Sequence, residues 1–445
     1  MSFVVLSISR WRRWQFSYFE RIGIPGPKPS LIWGNIREYH SMEIYKVMGK
    51  WLDQYGDIYG FYNGDAPFVV TRDLNFVEHV FVRNFQNFVD RGITMATDQN
   101  HPVLKTSIFH ACGLPWKSMR SCVSQSFSGS KLKQVPHQVF LCTRGGRGLN
   151  AGRGDYILVG SMMPHIEEDA SIFIKSLQQY ADTGEEVHML RKFEELSMDY
   201  VARGSFGIDE RFQGKPDHPF MVIAKAALRG TMKGPFHMIA QSTTSLGALM
   251  MPLYWLSLVL GEFSLGDLNE PTAKVIQLRK SDPSGSLDYE TIMKKLKYLE
   301  HVVDETLRLY PPALSNLNRQ AKKDFEYNGI KYKAGTNVMA ALYQIQTDPR
   351  YFKNPLEFNP DRFSPGNEAL FTKAAFMPFG VGPRNCAGMK LALLKVRYTV
   401  AKIVQKYRME LGPSQKGTME LGQYAMASTP AIGPWIVLHS LVNER

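Results

Sequence analysis

Cysteine is scarce in this 445-residue chain. Cys112, Cys122, Cys142 and Cys386 are the full set, and no two stand at a spacing that would make a disulfide framework or a zinc site. A reducing compartment is therefore the default. Long apolar runs are scarce as well. Met1 to Ile8 is mildly apolar, and Leu249 to Leu260, nearly unbroken around Pro252 and Trp255, has only twelve residues, against the roughly 20 that a helix needs to cross a bilayer. The second run suits a core helix or one that dips into a membrane interface. At the N-terminus Arg10, Arg12 and Arg13 follow the apolar stretch instead of preceding it, which argues against a secretory signal. Acidic residues are in deficit: Asp+Glu 41 against Lys+Arg 53 gives a net charge of +12. That balance suits an anionic membrane surface or an acidic protein partner. Nucleic acid is not expected, because the cations are spread along the chain and form no basic arm. A hydrophobic content of 44% is enough for a sizeable core, and the length leaves one large helical enzyme as open as two domains.

What is present is one stretch around which the rest is organised. Phe379-Gly380-Val381-Gly382-Pro383-Arg384-Asn385-Cys386-Ala387-Gly388 is a glycine-broken loop that presents one cysteine just where an apolar-periodic helical segment begins. Gly380, Gly382 and Gly388 lack Cβ, so the backbone can turn tightly and approach a flat group closely. Backbone N–H groups at the start of the following helix favour negative charge on the sulfur, so Cys386 suits a metal as thiolate. A lone cysteine in such a loop is more often buried and inert. Here, however, Phe379, Gly382, Arg384, Cys386 and Gly388 match the fixed positions of the haem-binding loop of the cytochrome P450 family of haem-thiolate monooxygenases, which this loop resembles. The resemblance implies haem b as cofactor, its iron held by Cys386. A thiolate ligand pushes electron density onto iron and promotes O–O cleavage.

The likeness runs along the chain in order. Ile24-Pro25-Gly26-Pro27-Lys28-Pro29 is a stiff segment, similar to the family's hinge between membrane anchor and globular body; an ordinary irregular lead-in is the equal alternative. Residues 1–23 then look like a shortened membrane-proximal segment and 24–445 like the haem-binding monooxygenase domain. Asn63-Gly64, between short apolar runs, predicts a hairpin. Arg91, the pair Trp116 and Arg120, one turn apart on a helix, Arg319 and Arg384 match the family's propionate-binding residues, and guanidinium groups suit carboxylates. From Glu167 to Gly207 the pattern is helical, with Phe173, Leu177 and Tyr180, then Phe193, Leu196 and Tyr200, at helical spacing. Lys295 to Leu309 reads as an amphipathic helix stopped by Pro311-Pro312. It carries Glu305 and Arg308, which can pair, and the resemblance adds Arg362 as the third member of a set bracing the core behind the cysteine loop. Tyr327-Asn328-Gly329-Ile330 reads as a second hairpin turn. Gln346 stands where many relatives have histidine. After Cys386, Met389 to Val404 reads as a helix whose Lys390, Lys395, Arg397 and Lys402 either greet an acidic electron donor or form a solvated face.

Two stretches depart from the family. Residues 135–160, with Arg144-Gly145-Gly146-Arg147-Gly148 and Gly152-Arg153-Gly154, read as a disordered insertion. Only 99 positions separate Phe206 from Glu305. That is too few for the family's long central helix, so the helix with its distal acid and threonine is expected to be missing, the gap falling near 281–287. Gln241-Ser242-Thr243-Thr244-Ser245 is the nearest lookalike and lacks both the glycine and the acid. No catalytic residue of that kind is identified.

The reading is a mainly α protein with small β-sheets, a cytochrome P450 fold with a part missing, and within the family the likeness is to the animal microsomal drug- and steroid-oxidising subfamily. It implies insertion of one oxygen atom from dioxygen into an apolar small molecule. Electrons would come from NADPH through a flavin reductase, on the cytoplasmic face of the endoplasmic reticulum membrane. An inactive haem-binding chain and a haem-thiolate isomerase that needs no reductase are the alternatives, with RNA binding through the Arg-Gly segment a distant third. The substrate is not legible, because one fold hosts many.

Overall fold

The computed structural model describes residues 2–40, 43–92, 107–127, 137–140, 156–159, 162–203, 210–229, 235–242, 247–260, 291–314, 317–415, 420–424 and 427–441. Helices dominate. Helix α1 (Ser2–Phe16) leads, and α2 (Ile44–Tyr55) packs on a hairpin of β1 (Ile58–Asn63) and β2 (Ala66–Thr71). The hairpin turns at the expected place, where Asn63 pairs with Ala66 and Gly64 takes a positive φ of 67°. Helix α3 (Gly113–Ser126) and a short antiparallel pair, β3 (His137–Phe140) with β4 (Tyr156–Val159), come next. That pair falls inside the segment read as an insertion, where Val139, Phe140, Tyr156, Ile157 and Val159 are good strand formers. Its arginine-glycine stretch lies outside the described residues.

The long helical pattern after residue 162 resolves into α4 (Met162–Thr183) and α5 (Met189–Val201), with the two-residue strand β5 (Val187–His188) between them. Gly184 sits at φ 70°, and a left-handed residue stops a helix. Helices α6 (Pro219–Arg229), α7 (Pro235–Ser242) and α8 (Gly247–Val259) follow. The expected gap near 281–287 and the Thr243-Thr244-Ser245 lookalike lie outside the described residues. Helix α9 (Lys297–Leu309) ends at the Pro311-Pro312 pair, as its sequence predicts. Strands β6 (Asn318–Gln320), β7 (Phe325–Tyr327), β8 (Ile330–Tyr332) and β9 (Asn337–Ala340) lead to the short helix α10 (Leu342–Gln346). The β7–β8 turn places Asn328 at φ 50° and Gly329 at φ 77°, the primed geometry that an Asn-Gly pair favours. Helix α11 (Met389–Lys406) starts at the cysteine loop, and β10 (Tyr407–Leu411), β11 (Leu421–Tyr424), β12 (Ala427–Pro430) and β13 (Trp435–Ser440) close the chain.

The principal sheet has the order β1-β2-β9-β6, with β9 parallel to β2. Side chains alternate across it. Phe68, Val70 and Met339 meet Val47, Met48, Trp51 and Leu52 of α2 on one face. Val69, Val338 and Ala340 join Phe76, Phe81 and Leu317 on the other. A separate cluster joins α4, α5 and α11 through Phe173, Leu177, Leu196, Leu391, Leu394 and Tyr398. The first 23 residues contribute to the core, for Phe16 and Phe19 are buried in the cluster with Val69. Arg12 is buried too, and donates to the carbonyls of Ile32 (2.7 Å) and Ser242 (2.8 Å).

Helix α8 carries Pro252 inside it and leaves Leu249 (72%) and Val259 (82%) exposed beside Trp255 and Leu256. Among the described residues no helix is long and apolar enough to cross a membrane. The proline-rich segment is docked on the sheet. Gly60 N–H donates to Pro25 O (2.9 Å), and a Cβ on Gly26 would fall 1.9 Å from Gly60 O. Backbone cannot retreat as a side chain can, so Gly26→Ala should cost about 1–3 kcal/mol. Denaturant unfolding measures this, and an unchanged midpoint would show that the segment is not seated on β1.

Candidate functional site

The cysteine loop is held by three backbone hydrogen bonds. Gly380 N–H donates to Met377 O (2.9 Å), Asn385 N–H to Gly382 O (3.1 Å) and Cys386 N–H to Phe379 O (2.8 Å). Gly382 is glycine for two reasons: its φ is 73°, and a Cβ there would lie 2.0 Å from Phe81 O. Gly388, the residue before α11, has an ordinary φ of −87° and nothing within 4 Å of a built Cβ. Protein packing therefore does not demand glycine at 388, and the space there is open. Cys386 itself is exposed.

Around the loop gather the five residues read as propionate ligands. Arg319, on β6, is wholly buried and lies over the Phe81 ring at 4.8 Å. Its Nη1 donates to Asn318 O (2.7 Å), whereas Nε and Nη2 are buried with no hydrogen-bond partner. Arg91 lies over the Phe109 ring at 4.1 Å. Arg384 stacks on the buried Trp116 ring at 4.6 Å and donates to the carbonyls of Val89 (2.7 Å), Phe109 (3.1 Å) and Ala111 (2.8 Å). Arg120, one turn beyond Trp116 on α3, donates through Nη2 to Asn385 Oδ1 (2.6 Å) and through Nη1 to Asn385 O. Thus all five come together, but Arg384 and Arg120 already fasten the cysteine loop to the segment before α3 and to α3 itself.

Positive charge is costly in this cluster. Burial pushes the Arg319 guanidinium well below its usual range, and the Arg91 and Arg384 cations push it the same way. Arg91 is lowered to about 10 by burial and then by Arg384, with Cys386 opposing. Arg384 is also lowered to about 10 by burial, against the attraction of Asp90. Asp90, which the sequence reading passed over, accepts from Gly113 N–H (2.7 Å) at the start of α3 and stands 3.8 Å from Arg384 and 3.4 Å from Lys322. The acidic residue was visible in the sequence next to Arg91; its place at the start of α3 was not.

Behind the loop, Glu305, Arg308 and Arg362 are all essentially without solvent exposure. Arg308 grips both oxygens of Glu305 at 2.7 Å, and Arg362 Nε reaches Oε1 at 3.5 Å. Spare donors of Arg308 go to Gln346 O, Pro355 O and Glu357 O, and those of Arg362 to Lys353 O, Asn354 O and Leu370 O. Asn359 N–H adds a bond to Glu305 (3.0 Å). The four cations read on α11 divide. Lys395 donates to Tyr200 O (3.1 Å), and buried Arg397 meets Glu300 (3.2 Å) and Asp304 (3.9 Å), so these two hold α11 to α5 and α9. Lys402 lies over the Tyr398 ring and Lys390 is exposed.

The chemistry of this donor set is specific. Among the described residues no group of three or more His, Cys, Asp or Glu could hold a metal ion alone, so a metal at Cys386 must bring most of its own ligands. Orphaned guanidinium donors and mutual repulsion among cations call for an anion beside it. Open space at Gly388 leaves room for a group laid on the loop. Haem, an iron macrocycle bearing two carboxylates, fits all three.

The family model described as Cytochrome P450 matches residues 24–139 and 274–433. Every residue of the loop, the arginine cluster and the Glu305 network falls inside those ranges. Cytochrome P450 3A14 of Cavia porcellus is 23% identical over 506 aligned positions, covering 96% of this chain and 94% of that protein. Cytochrome P450 3A1 of Rattus norvegicus and lithocholate 6-beta-hydroxylase of Mesocricetus auratus are each 26% identical, over 88% of this chain and 86% of theirs. The 506 aligned positions exceed the 445 residues of this chain, so the guinea-pig relative carries residues without a counterpart here.

Removing one member of a buried ion network leaves the others uncompensated, which costs about 3–5 kcal/mol. Glu305→Ala should lose that much in denaturant unfolding, whereas Glu305→Leu combined with Arg308→Met should lose less. Equal losses would show that packing and not charge carries the contribution.

Proposed function

Because the chain belongs to the cytochrome P450 family, a family of monooxygenases, we propose that it binds haem b through Cys386 and oxidises apolar small molecules of the steroid or xenobiotic kind. The observation that carries this reading is the pairing of an exposed cysteine, on a glycine-shaped loop, with a buried arginine cluster that has orphaned donors. Bound haem would supply the activation of dioxygen, with electrons from NADPH through a flavin reductase. Cys386 would present its sulfur to the iron, on a loop that Arg120 fastens through Asn385. Arg319 and Arg91 would take the propionates, because Arg319 alone of the cluster has most of its guanidinium unengaged in a fully buried setting. Arg384, Trp116 and Arg120 would keep the loop closed against the segment before α3, and Phe379 would hold the Cys386 N–H. Glu305, Arg308 and Arg362 would fix the floor on which the loop stands.

The reductase would meet α11 at Lys390 and Lys402, since Lys395 and Arg397 are committed inward. The exposed apolar residues of α8, with Leu6 and Trp14 of α1, suit a membrane surface and an apolar substrate arriving from it. On this reading the protein would work at the cytoplasmic face of the endoplasmic reticulum membrane.

Two measurements test the reading. The reduced, carbon-monoxide-bound spectrum should show the red-shifted Soret band of a thiolate ligand, and Cys386→Ser should abolish it. No haem uptake, or a band typical of the unligated thiol, would mean that the chain keeps the family's loop without its working site. Arg319→Ala should weaken haem retention by at least about tenfold, the scale of one charge-assisted hydrogen bond of about 1.5–3 kcal/mol. Haem dimethyl ester, which lacks the carboxylates, should be nearly indifferent to that substitution. Equal sensitivity of the ester would remove Arg319 from the propionate site.

A further inference from the structure

Gln346 is the last residue of α10 and is completely buried. Its carboxamide is used from both ends. Nε2 donates to Leu307 O (3.1 Å) and Arg308 O (2.9 Å) at the C-terminus of α9, where helix carbonyls lack intrahelical partners. Oε1 accepts from Met377 N–H at 3.0 Å. Its backbone carbonyl accepts from Arg308 Nη1 at 2.8 Å, so Gln346 is also tied to the Glu305 network. Met377 in turn accepts from Gly380 N–H (2.9 Å), at the first turn of the loop whose Phe379 O receives Cys386 N–H (2.8 Å). One amide thus spans the distance between the helix that carries Glu305 and Arg308 and the strand of chain that delivers the cysteine.

We propose that Gln346 is the positioning residue for the Cys386 loop, setting through Met377 how far the sulfur stands from the helix behind it. The role needs a head group with a donor on one side and an acceptor on the other. A carboxamide meets that need at every pH. A neutral imidazole meets it as well, whereas an imidazolium has two donors and no acceptor for Met377 N–H. A thioether of similar length has no donor and only a weak acceptor. The charged groups at hand are Arg308 and, through it, Glu305 on α9, with Asp348 and Arg350 just beyond Gln346. A buried histidine beside the Arg308 cation is held neutral at neutral pH.

The proposal rests on Cys386 as the axial ligand, so its test has one arm with haem and one without. Full-length wild type, Gln346→His and Gln346→Met are compared. Without haem, amide exchange followed by mass spectrometry should be about tenfold faster across residues 376–388 in Gln346→Met, with unchanged far-ultraviolet dichroism. In Gln346→His the protection should match wild type at neutral pH. With haem, the fraction of thiolate-type carbon-monoxide band should fall in Gln346→Met. In Gln346→His it should equal wild type near neutrality and decline toward about pH 5.5, as an imidazole protonates, over a range where wild type is flat.

Wild-type protection of residues 376–388 in Gln346→Met would overturn the proposal. So would acid profiles of exchange and spectrum that superimpose for Gln346→His and wild type. If Gln346→Met does not fold, the acid profile of Gln346→His decides alone. If wild type takes up no haem, the haem reading falls while the exchange arm still decides the role of Gln346.

Discussion

Glu305 has no water to turn to. Its carboxylate is fully buried, and each ionised oxygen would be expensive there if it were not met by donors. Arg308 meets both oxygens, Asn359 N–H and Arg362 meet one of them again, and the two guanidiniums send their remaining N–H groups to backbone carbonyls of residues 346–370. Apart from Gln346 at the end of α10 and Leu370 at the end of a 3-10 turn, those carbonyls belong to irregular chain outside helix and sheet. The ion network therefore does for this stretch what a hydrogen-bond ladder does for a strand: it gives buried backbone a partner. The cysteine loop stands directly on that stretch, so its position follows from a charge arrangement some 80 residues earlier in sequence.

The two sets of buried arginines differ in a way that separates scaffold from site. Arg308 and Arg362 share a carboxylate and have their donors engaged. Arg319 is equally buried, yet two of its nitrogens have no partner and its nearest charged neighbours are other cations. A fold gains nothing by leaving such a group unanswered. The imbalance makes sense as a preformed seat for an anion, and the price of keeping it is paid by the packing around Phe81 and Trp116 and by the bonds from Arg384 and Arg120 that clamp the loop shut.

What the sequence made legible was whatever depends on local spacing. The cysteine loop, the one-turn separation of Glu305 from Arg308, the Trp116–Arg120 pair and both hairpin turns are statements about neighbours, and local geometry honours them. Direction was harder to see. Lys395 and Arg397 sit in a helix whose cations looked like one face, yet both turn toward α5 and α9, because partners on distant chain decide which side of a helix is the inside. The proline-rich segment gave no sign that Gly26 would meet Gly60. Helix α4 looked continuous with α5 until Gly184 ended it, a break that frees Val187 and His188 to pair with β13. Gln346 stood out in the sequence only as a substitution for histidine, and its hydrogen bonds give that substitution a physical meaning.

The family match skips residues 140–273, and the bonds that build the site explain why the site can be read without them. Each hydrogen bond described for Glu305, Arg308, Arg362, Arg384, Arg120 and Gln346 begins and ends within residues 24–139 or 274–433. The middle of the chain reaches this unit from the side, through Tyr200 to Thr399 and Lys395, and through Ile174 to Tyr407. Those contacts steady α11 but leave the loop's own partners untouched. The seat of the cysteine and of the arginine cluster is therefore set by the two matched segments.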